Sequence, residues 1–478
     1  MSEAPLVTGR AVTFDEAAHR RFADVSGDWN EIHIDPVAAR RAISGEMVVH
    51  GVHVVLRALD ELSSAAPAHI ERVRALFRKP VFPGDEVTIE SGAGSSGSVL
   101  LEVRANAATL VSIEVDTKSE AAETTGLRTG DRHEVELRSV PRCLSIDEIG
   151  GMAGSVAVPE DRGALAGLFP NLVTSMGPTY VAQLMAVSRL IGMECPGRYS
   201  MLSAFDLATT LAGDPTSIEW SVTRADQRVG AVRVELAGGL VTGHVDSFVR
   251  PRPVEQPGFA ALGAEIDTGL FAGQRALVVG GSRGLGALTA KLIAAGGGEV
   301  VATWHRGREE ADQLVTEIEG GGGRARAIQL DVASPKGAIK GLAEEGWRPT
   351  HLYYFASSRI FARRTRPFEE ELLSDFVAMY VTGFANVVGA LDAGDAEPLV
   401  AFYPSSVAVD EPIEALTEYS IAKAAGEQAA RTLAGNLAWL EVVVERLPRV
   451  PTDQTATLMP VEEADPVFLM ASLLRRMA

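Results

Sequence analysis

The stretch SGDWNEIHID, residues 26–35, places Asp28 and His33 five positions apart in a polar segment with the composition of a loop. Carboxylates and imidazoles are the side chains that most often accept and donate protons in enzymes. A structural interpretation competes with this one: Asp28 caps a helix and His33 is a buried packing residue. The spacing alone does not decide between them, so the surrounding sequence must.

The totals of the sequence restrict the classes of partner. The chain has 478 residues, which suggests roughly three domains. Its 44 basic and 63 acidic side chains give a net charge of −19, which repels phosphate backbones and anionic lipids. We therefore expect neither nucleic acid nor a membrane as a partner.

The cysteines and the apolar segments bear on location. The two cysteines, Cys143 and Cys195, form no CxxC motif, which indicates neither a disulfide framework nor a zinc site and favours a reducing compartment. The sequence shows no secretory signal at its start and no uninterrupted apolar run long enough to span a bilayer. A cytoplasmic location is predicted.

The character of the sequence changes at VRPRPVEQPG, residues 249–258, where three prolines and little periodicity indicate a linker. After it, the strand ALVVGG, a glycine-rich turn and alternating helices and strands are typical of an α/β sheet. Before it, the chain contains an internal repeat. Each copy consists of one apolar helix followed by strands of period two, with Gly51 and Gly177 at matching places. The repeat predicts a sheet wrapped on a central helix, twice.

The residues around Asp28 belong to a longer pattern. FADVSGDWNEIHIDPVAARRA, residues 22–42, is followed by EMVVHG, residues 46–51. This pattern resembles the (R)-specific enoyl-CoA hydratases, the MaoC-like hotdog proteins, whose signature is an SGDxNxIHxD loop before a helix that opens at HG. The matching residues are Ser26, Gly27, Asp28, Asn30, Ile32, His33, Asp35, His50 and Gly51.

The resemblance implies that Asp28 and His33 are a catalytic pair, with Asn30 and Gly51 in support. Hydration of a 2-enoyl thioester needs a base to activate water and an acid to protonate C2, and the pair can supply both. The helix start at Gly51 offers an amide to the developing enolate oxygen.

The remaining histidines and the second copy are expected to play other parts. His33, His50 and His53 are not predicted to form a metal site, since no acidic second shell is recognisable. The second copy lacks an Asp–His loop and resembles the inactive half of a double hotdog, which supplies the other wall of the acyl tunnel.

From Gly273 onward the chain resembles the short-chain dehydrogenase/reductase family. VVGGSRGLG, residues 278–286, follows a strand, opens a helix and matches the family's TGxxxGxG turn, with Val279 in place of the usual Thr. The residues of this turn expected to contact the cofactor are Gly280, Ser282, Arg283, Gly284, Leu285 and Gly286.

The resemblance also implies a catalytic trio: Tyr419 and Lys423 in YSIAK, and Ser406 thirteen residues before the tyrosine. The tyrosine donates a proton to the carbonyl oxygen, the lysine lowers the phenol's pKa and holds the ribose, and the serine orients the carbonyl. Ser405 is the second choice for the serine. Two residues depart from the family: Phe355 and Tyr380 stand where asparagines are usual, and Tyr380 either carries a proton relay through its hydroxyl or ends it.

Charge suggests which cofactor binds. The second strand of the α/β region ends TWHRG, residues 303–307, without the acid that normally holds a ribose 2′-hydroxyl. Arg283 and Arg306 are placed to meet a 2′-phosphate instead, so NADPH/NADP is expected. By resemblance, Asp331 contacts the adenine and Thr452 contacts the nicotinamide carboxamide, with Arg449 in place of the family's Gly.

The predicted fold class is a multi-domain chain: an α+β double hotdog followed by an α/β, doubly wound parallel sheet of Rossmann type. The predicted boundaries are 1–125 for the catalytic hotdog, 126–250 for the degenerate hotdog, 251–272 for the linker and 273–478 for the reductase domain.

The predicted function is bifunctional: reduction of a 3-oxoacyl thioester with NADPH, and reversible dehydration of the (R)-3-hydroxyacyl product to the 2-enoyl thioester. The substrate is carried by CoA or an acyl carrier protein, and a homo-oligomer, dimer or tetramer, is expected. One alternative is a ketoreductase of a sugar or polyketide ketone with a hotdog binding module. The other is a non-catalytic acyl-carrier scaffold.

Overall fold

The computed structural model describes residues 7, 9–118, 137–210, 212–361, 366–392, 397–411, 413–457 and 461–478. Almost all described residues up to Arg252 form one compact unit, and almost all from Pro253 onward form a second. The predicted boundary between residues 125 and 126 lies outside the described residues.

The first unit is built on one antiparallel sheet of ten strands. The strand order is β1-β3-β4-β5-β2-β7-β10-β9-β8-β6, so the two halves of the sheet mirror each other about the β2–β7 pair. That pair is antiparallel, with Ala75 opposite Phe205. The strands are β1 Arg10–Thr13, β2 His69–Phe77, β3 Glu86–Ala93, β4 Val99–Ala105, β5 Ala108–Lys118, β6 Ala153–Ala157, β7 Ser200–Thr209, β8 Ser217–Asp226, β9 Ala231–Ala237 and β10 Val241–Val249.

Each half of this sheet wraps one buried helix, α4 in the first half and α8 in the second. Buried residues cover nearly the whole circumference of both helices, so each helix is enclosed by its half of the first unit. A turn of π-helix, Leu190–Glu194, extends α8. The helices are α1 Glu16–Ser26, α2 Glu31–Ile34, α3 Pro36–Ala39, α4 Gly51–Ala65, α5 Ile146–Ile149, α6 Arg162–Leu168, α7 Pro170–Met176 and α8 Pro178–Arg189.

The second unit is a six-stranded parallel sheet in the order β13-β12-β11-β14-β15-β16, the doubly wound arrangement that places a dinucleotide at the carboxyl ends of its strands. Its strands are β11 Arg275–Val279, β12 Glu299–Trp304, β13 Arg324–Gln329, β14 His351–Tyr354, β15 Leu399–Ser406 and β16 Leu440–Leu447. Its helices are α9 Phe259–Leu262, α10 Gly284–Ala295, α11 Arg308–Gly320, α12 Lys336–Glu344, α13 Glu370–Val377, α14 Gly383–Leu391, α15 Thr417–Asn436 and α16 Pro466–Arg475. The predicted fold class, a double hotdog before a Rossmann-type sheet, is confirmed.

The structure shortens the predicted linker of residues 251–272. Phe259, Leu262, Ile266 and Phe271 are buried in a core of the second unit. These apolar side chains recur too irregularly to show a period in the sequence, yet they pack on the outside of α10.

One helical stretch within the described residues, Glu370–Leu391, is long and apolar enough by composition to cross a membrane, with a mean hydropathy of 1.4. It consists of α13, a π turn and α14. Phe376, Tyr380 and Phe384 on its inner face are buried in the second unit, so here the stretch serves as a core helix.

Asp60, on α4, joins the two halves of the first unit. Its carboxylate is 1% exposed and accepts hydrogen bonds from the amides of Asn171 (2.8 Å) and Leu172 (2.9 Å) at the start of α7. These amides have no partner within their own helix, so Asp60 caps α7 from another element.

We predict that Asp60→Ala lowers the free energy of unfolding by about 2–3 kcal/mol, because two buried amides lose their acceptor. Denaturant titration checks this. The matched control is Asp161→Ala, whose exposed carboxylate caps α6 through Ala164 and whose loss costs about 1 kcal/mol. Equal losses for the two variants would contradict the bridging role.

Candidate active sites

The Asp–His site, formed by Asp28, His33 and their neighbours, begins where α1 ends. Gly27 ends α1 in the left-handed region, with φ of 68°, and its amide donates to the carbonyl of Ala23. The chain thereby turns Asp28 toward the interior. Asn30, not Asp28, is the N-cap of α2, so the interpretation of Asp28 as a helix cap is wrong.

The Asp28 carboxylate is held by both halves of the first unit. It is 1% exposed; its Oδ2 accepts from the hydroxyl of Ser188 at 2.7 Å and its Oδ1 from the amide of Asn30 at 3.2 Å. A Cβ on Gly192 would lie 2.2 Å from Oδ1, so only glycine leaves room for the carboxylate. Burial raises the pKa of Asp28, and the positive charge of His33 and the hydrogen bond from Ser188 oppose that rise.

Asn30 fastens the loop to the second half. Its side-chain amide donates to the carbonyls of Gly192 (2.9 Å), Gly197 (3.2 Å) and Arg198 (3.2 Å). Because Asn30 is fully buried, these bonds replace the water that the amide loses. Asn30 thus holds the loop against the backbone of the other copy, and its supporting part in catalysis stays a prediction.

His33 is partly exposed and lies close enough to Asp28 for each charge to shift the other's pKa. Its Nδ1 is 2.7 Å from the carbonyl of Val48, which assigns the ring proton to Nδ1 and leaves Nε2 with a lone pair. Burial lowers the pKa of His33, which Asp28 raises in turn. A neutral imidazole beside a buried carboxylate can take a proton from water near neutral pH.

Three imidazoles gather at this site: one nitrogen each of His19, His33 and His50 lies within 4.8 Å of the others. This group includes His19, which the sequence did not single out, and not His53, which the sequence analysis considered together with His33 and His50. The rings of His33 and His50 stack, with centroids 3.8 Å apart and planes at 26°. Each ring nitrogen has its lone pair in the plane of its ring, and nearly parallel planes disfavour convergence of the lone pairs on a metal ion. The lack of a metal site stays a prediction.

The start of α4 lies directly behind this stack. Its N-cap is His50, which makes no side-chain hydrogen bond to the first amides of the helix. A Cβ on Gly51 would lie 2.9 Å from the ring of Phe77 and 3.1 Å from Leu202. Gly51 is therefore required for space, and an amide-rich helix start stands next to the imidazole of His33.

The tyrosine–lysine site, formed by Ser406, Tyr419 and Lys423, lies at the carboxyl end of β15 and the first turns of α15. Tyr419 is hydrogen-bonded to Ser406, while the hydroxyl of Ser405 donates to Glu427 at 2.6 Å. Ser406 rather than Ser405 thus meets the phenol. Burial raises the pKa of Tyr419 to about 12, and the hydrogen bond with Ser406 opposes that rise.

Lys423 is enclosed by aromatic rings. Its Nζ donates to the carbonyl of Pro404 at 2.8 Å and lies 4.0 Å from the ring centre of Tyr380 and 5.8 Å from that of Tyr419. Burial lowers the pKa of Lys423 to about 7. Burial thus opposes the positive charge that the lysine was expected to hold beside the phenol.

The two departures from the family pattern have structural consequences. The hydroxyl of Tyr380 is 2.6 Å from that of Ser357, and its carbonyl accepts from Tyr403 at 3.0 Å. In the described part of the chain no direct hydrogen bond joins the hydroxyl of Tyr380 to Lys423, and the two alternatives, that Tyr380 carries the relay or ends it, stay predictions. Phe355 packs against Phe402, with ring centres 5.9 Å apart.

The glycine-rich turn fits a dinucleotide. Gly280 has φ of 76° and a Cβ there would lie 2.7 Å from the amide of Ala356; at Gly286 it would lie 2.2 Å from the carbonyl of Gly280. At Gly284, in contrast, φ is 57° and a Cβ would meet no atom within 4 Å. The first turn of α10 is thus open on one side. The N-cap residue of this helix, Arg283, makes no side-chain hydrogen bond to the first amides of α10.

The other residues predicted to contact the cofactor differ in their exposure and in their hydrogen-bond partners. Ser282 and Leu285 lie in the turn, partly exposed, and Arg306 is exposed after β12. Arg283 is 3.6 Å from the carboxylate of Asp453, which competes with a phosphate for it. Asp331 is exposed and accepts from the amide of Ala333; the amide of Thr452 donates to Thr455.

Comparison with protein families connects these sites to known domains. Residues 2–114 match the MaoC like domain, and residues 274–355 match the short chain dehydrogenase family. The chain joins a MaoC-like domain to a short-chain dehydrogenase domain. The predicted fusion is confirmed, and the MaoC-like match ends before β6, where the second half of the sheet begins.

Relatives resemble parts of the chain. A probable oxidoreductase of Streptomyces antibioticus is 32% identical over 30% of this chain and 48% of its own. A mitochondrial 3-hydroxyacyl-[acyl-carrier-protein] dehydratase of Arabidopsis thaliana is 38% identical over 14% of this chain and 42% of its own. A 3-oxoacyl-[acyl-carrier-protein] reductase of Synechocystis is 46% identical over 13% of this chain and 25% of its own. The chain thus spans less than half the length of each relative.

A solved structure of a dehydrogenase/reductase from Sinorhizobium meliloti is 24% identical, with a TM-score of 0.37, and covers 45% of this chain and 90% of its own.

Sequence reasoning missed the residues that the second half contributes to the Asp–His site of the MaoC-like domain. Ser188 and Gly192 lie in VSRLIG, which shows only an apolar helix. The signal that would have found them is the polar Ser188 and small Gly192 at helical spacing on the face that has to meet the first half.

We predict that Ser188→Ala moves the acid limb of crotonyl thioester hydration, the activity expected of a MaoC-like domain, to higher pH. Ser188 holds the pKa of Asp28 down, so its loss favours the protonated, inactive carboxyl. The pH dependence of kcat/KM measures this, with a loss of about ten-fold at neutral pH. The control is Ser203→Ala, whose hydroxyl donates to the carbonyl of Asp246. A lower rate with an unmoved acid limb would show that Ser188 only packs.

Proposed function

We propose that this protein reduces 3-oxoacyl thioesters to (R)-3-hydroxyacyl thioesters and interconverts these with 2-enoyl thioesters. The observation that carries the proposal is the electrostatic interaction between the buried Asp28 carboxylate and the partly exposed His33 imidazole, beside the uncapped start of α4. The fusion of a MaoC-like domain with a short-chain dehydrogenase domain supports both halves of it.

In the hydration direction, Asp28 and His33 hold one water between them. The neutral His33 removes a proton from the water as the water oxygen bonds to C3, and the resulting imidazolium, stabilised by the Asp28 carboxylate, delivers that proton to C2. The net charge of Asp28 and His33 together is therefore the same before and after the reaction. The amide of Gly51 donates to the thioester oxygen as the enolate forms, an interaction typically worth about 3 kcal/mol of barrier.

In the reduction, a nicotinamide dinucleotide bound at the glycine-rich turn would supply the hydride that C3 of the oxoacyl group accepts. Tyr419 donates its phenolic proton to the carbonyl oxygen, and the hydroxyl of Ser406 donates a hydrogen bond that orients that oxygen. Lys423 stabilises the phenolate left behind in proportion to its own protonation.

The two reactions share the (R)-3-hydroxyacyl thioester, which is the product of one and the substrate of the other. A single chain raises the local concentration of this intermediate at the second site. We propose a phosphopantetheine thioester, on CoA or a carrier protein, as the substrate and a homo-oligomer paired through the dehydrogenase helices as the assembly.

A second candidate function is a hydratase whose dehydrogenase domain binds a dinucleotide without turning it over. The contact of Lys423 with Pro404 and the ring of Tyr380 favours it, because both hold the ammonium away from a proton relay.

We predict that His33→Ala lowers crotonyl thioester hydration, and Tyr419→Phe lowers acetoacetyl thioester reduction, each by about 10²- to 10⁴-fold, while each variant keeps the other activity. Loss of enoyl absorbance and oxidation of NADPH measure the two reactions separately. His244→Ala, on the outer sheet, and Tyr353→Phe, whose hydroxyl faces Gln274, are the controls.

Each outcome of this pair of measurements has a separate meaning. Undiminished hydration by His33→Ala contradicts the first activity, and undiminished reduction by Tyr419→Phe contradicts the second. Hydration without reduction in the unaltered protein establishes the second candidate function. Reduction of non-thioester ketones alone favours the ketoreductase with a binding module.

We propose NADPH as the cofactor, because the residues directly after β12, His305, Arg306 and Gly307, include a cation and no acid. Arg306→Ala is expected to raise KM for NADPH about ten-fold and to leave KM for NADH unchanged, since only the former carries a 2′-phosphate. The neighbouring Arg308, paired with Asp312, provides the control Arg308→Ala. Equal changes for both cofactors would contradict recognition of the 2′-phosphate.

A further inference from the structure

Three arginines converge on one tyrosine in the first unit of this acidic protein. The guanidinium carbons of Arg198, Arg250 and Arg252 lie 5.9, 5.3 and 5.4 Å from the ring centre of Tyr199. We call these four residues the arginine cluster. Like charges at such short range repel one another, so an anion is the natural complement of the group.

Arg250 shows that the cluster is incomplete as it stands. It is 5% exposed, and its Nε is buried without a hydrogen-bond partner. Its Nη2 donates to the carbonyl of Arg198 at 2.7 Å, and within the described residues no carboxylate forms an ion pair with it. Arg198 by contrast is paired with Glu31 at 2.7 Å. A buried cation without a counter-charge is costly unless a ligand supplies one.

The cluster adjoins the Asp–His site. The carbonyl of Arg198 accepts from both Arg250 and the side chain of Asn30, so a single carbonyl links the cluster to the Asp28–His33 loop. The charge of Arg250 also reaches His33, whose pKa it lowers. From the exposed Arg252 to the buried Arg250, the cluster thus leads from solvent toward His33.

We propose that the arginine cluster binds the phosphate of the pantetheine arm that carries the acyl group into the Asp–His site. This inference rests on the proposed hydration activity and assigns a substrate-binding part to the second, degenerate half. Arginine pairs with phosphate oxygens through two parallel hydrogen bonds, and three guanidinium groups suit a multiply charged group better than a single carboxylate. CoA and a carrier protein both present this phosphate.

The test compares thioesters that differ only in the handle. Crotonyl-CoA and crotonyl acyl carrier protein contain the phosphate, whereas crotonyl-N-acetylcysteamine does not. We expect Arg250→Gln and Arg252→Gln each to raise KM for the phosphorylated handles by about ten-fold, with kcat/KM for the cysteamine thioester changed by less than about two-fold. A higher salt concentration should weaken the binding of the two phosphorylated substrates and leave that of the cysteamine thioester unchanged.

Matched variants separate this role from folding and from catalysis. Arg72→Gln removes an exposed arginine that pairs with Asp206 on the sheet and should change the turnover of none of the three substrates. Arg252 is exposed, so Arg252→Gln is expected to leave folding unchanged. It therefore tests the phosphate site even if Arg250→Gln misfolds. An effect on CoA but not on the carrier protein, or the reverse, identifies the source of the phosphate.

Two results would overturn the proposal. Unchanged KM for both phosphorylated handles in both variants excludes a phosphate site while leaving hydration itself intact. Equal losses for all three substrates would place Arg250 at the acyl group or the Asp–His pair instead. Failure of the proposed hydration activity is recognised separately, because the unaltered protein would then turn over none of the three.

Discussion

The burial of one carboxylate, that of Asp28, is the constraint on which the first unit depends. A carboxylate away from water has to be hydrogen-bonded or neutralised. The hydroxyl of Ser188, the amide of Asn30 and the imidazole of His33 meet that need, and Gly192 leaves the space for it. Because two of these four residues belong to the second half, the half without an Asp–His loop is still part of the site. A degenerate copy can therefore persist for positioning alone.

The second unit applies the same physical principle with opposite charge. Lys423 is buried among tyrosines, and the loss of water lowers its pKa to about 7 while raising that of Tyr419 to about 12. Titratable groups in dry surroundings respond strongly to a neighbouring charge, which is why such groups mark functional sites. The network of Glu427 with Ser405 and Arg446 fixes the helix that carries the lysine.

Electrostatics also distinguishes the two kinds of surface in this protein. A net charge of −19 makes most of the chain repel anions, so a local group of arginines stands out. Around Tyr199, Arg198 pairs with Glu31, but within the described residues Arg250 forms no ion pair with a carboxylate. On the outer sheet, by contrast, Arg72 pairs with Asp206 and Arg233 with Asp246. Arginine thus forms ion pairs with carboxylates on neighbouring strands in one place, whereas in another the charge of an arginine is not balanced by a carboxylate.

The sequence by itself determined the features that depend on neighbours along the chain: the loop that carries Asp28 and His33, the turn at Gly280, and the two fold classes, because local patterns set turns and helix starts. It also indicated the doubling of the sheet. Only the tertiary structure decided that Ser188 holds Asp28 from 160 residues away, that Tyr380 presents its ring rather than its hydroxyl to Lys423, and that the linker ends before Phe259. These contacts depend on how distant elements pack, and packing leaves no local period in the sequence.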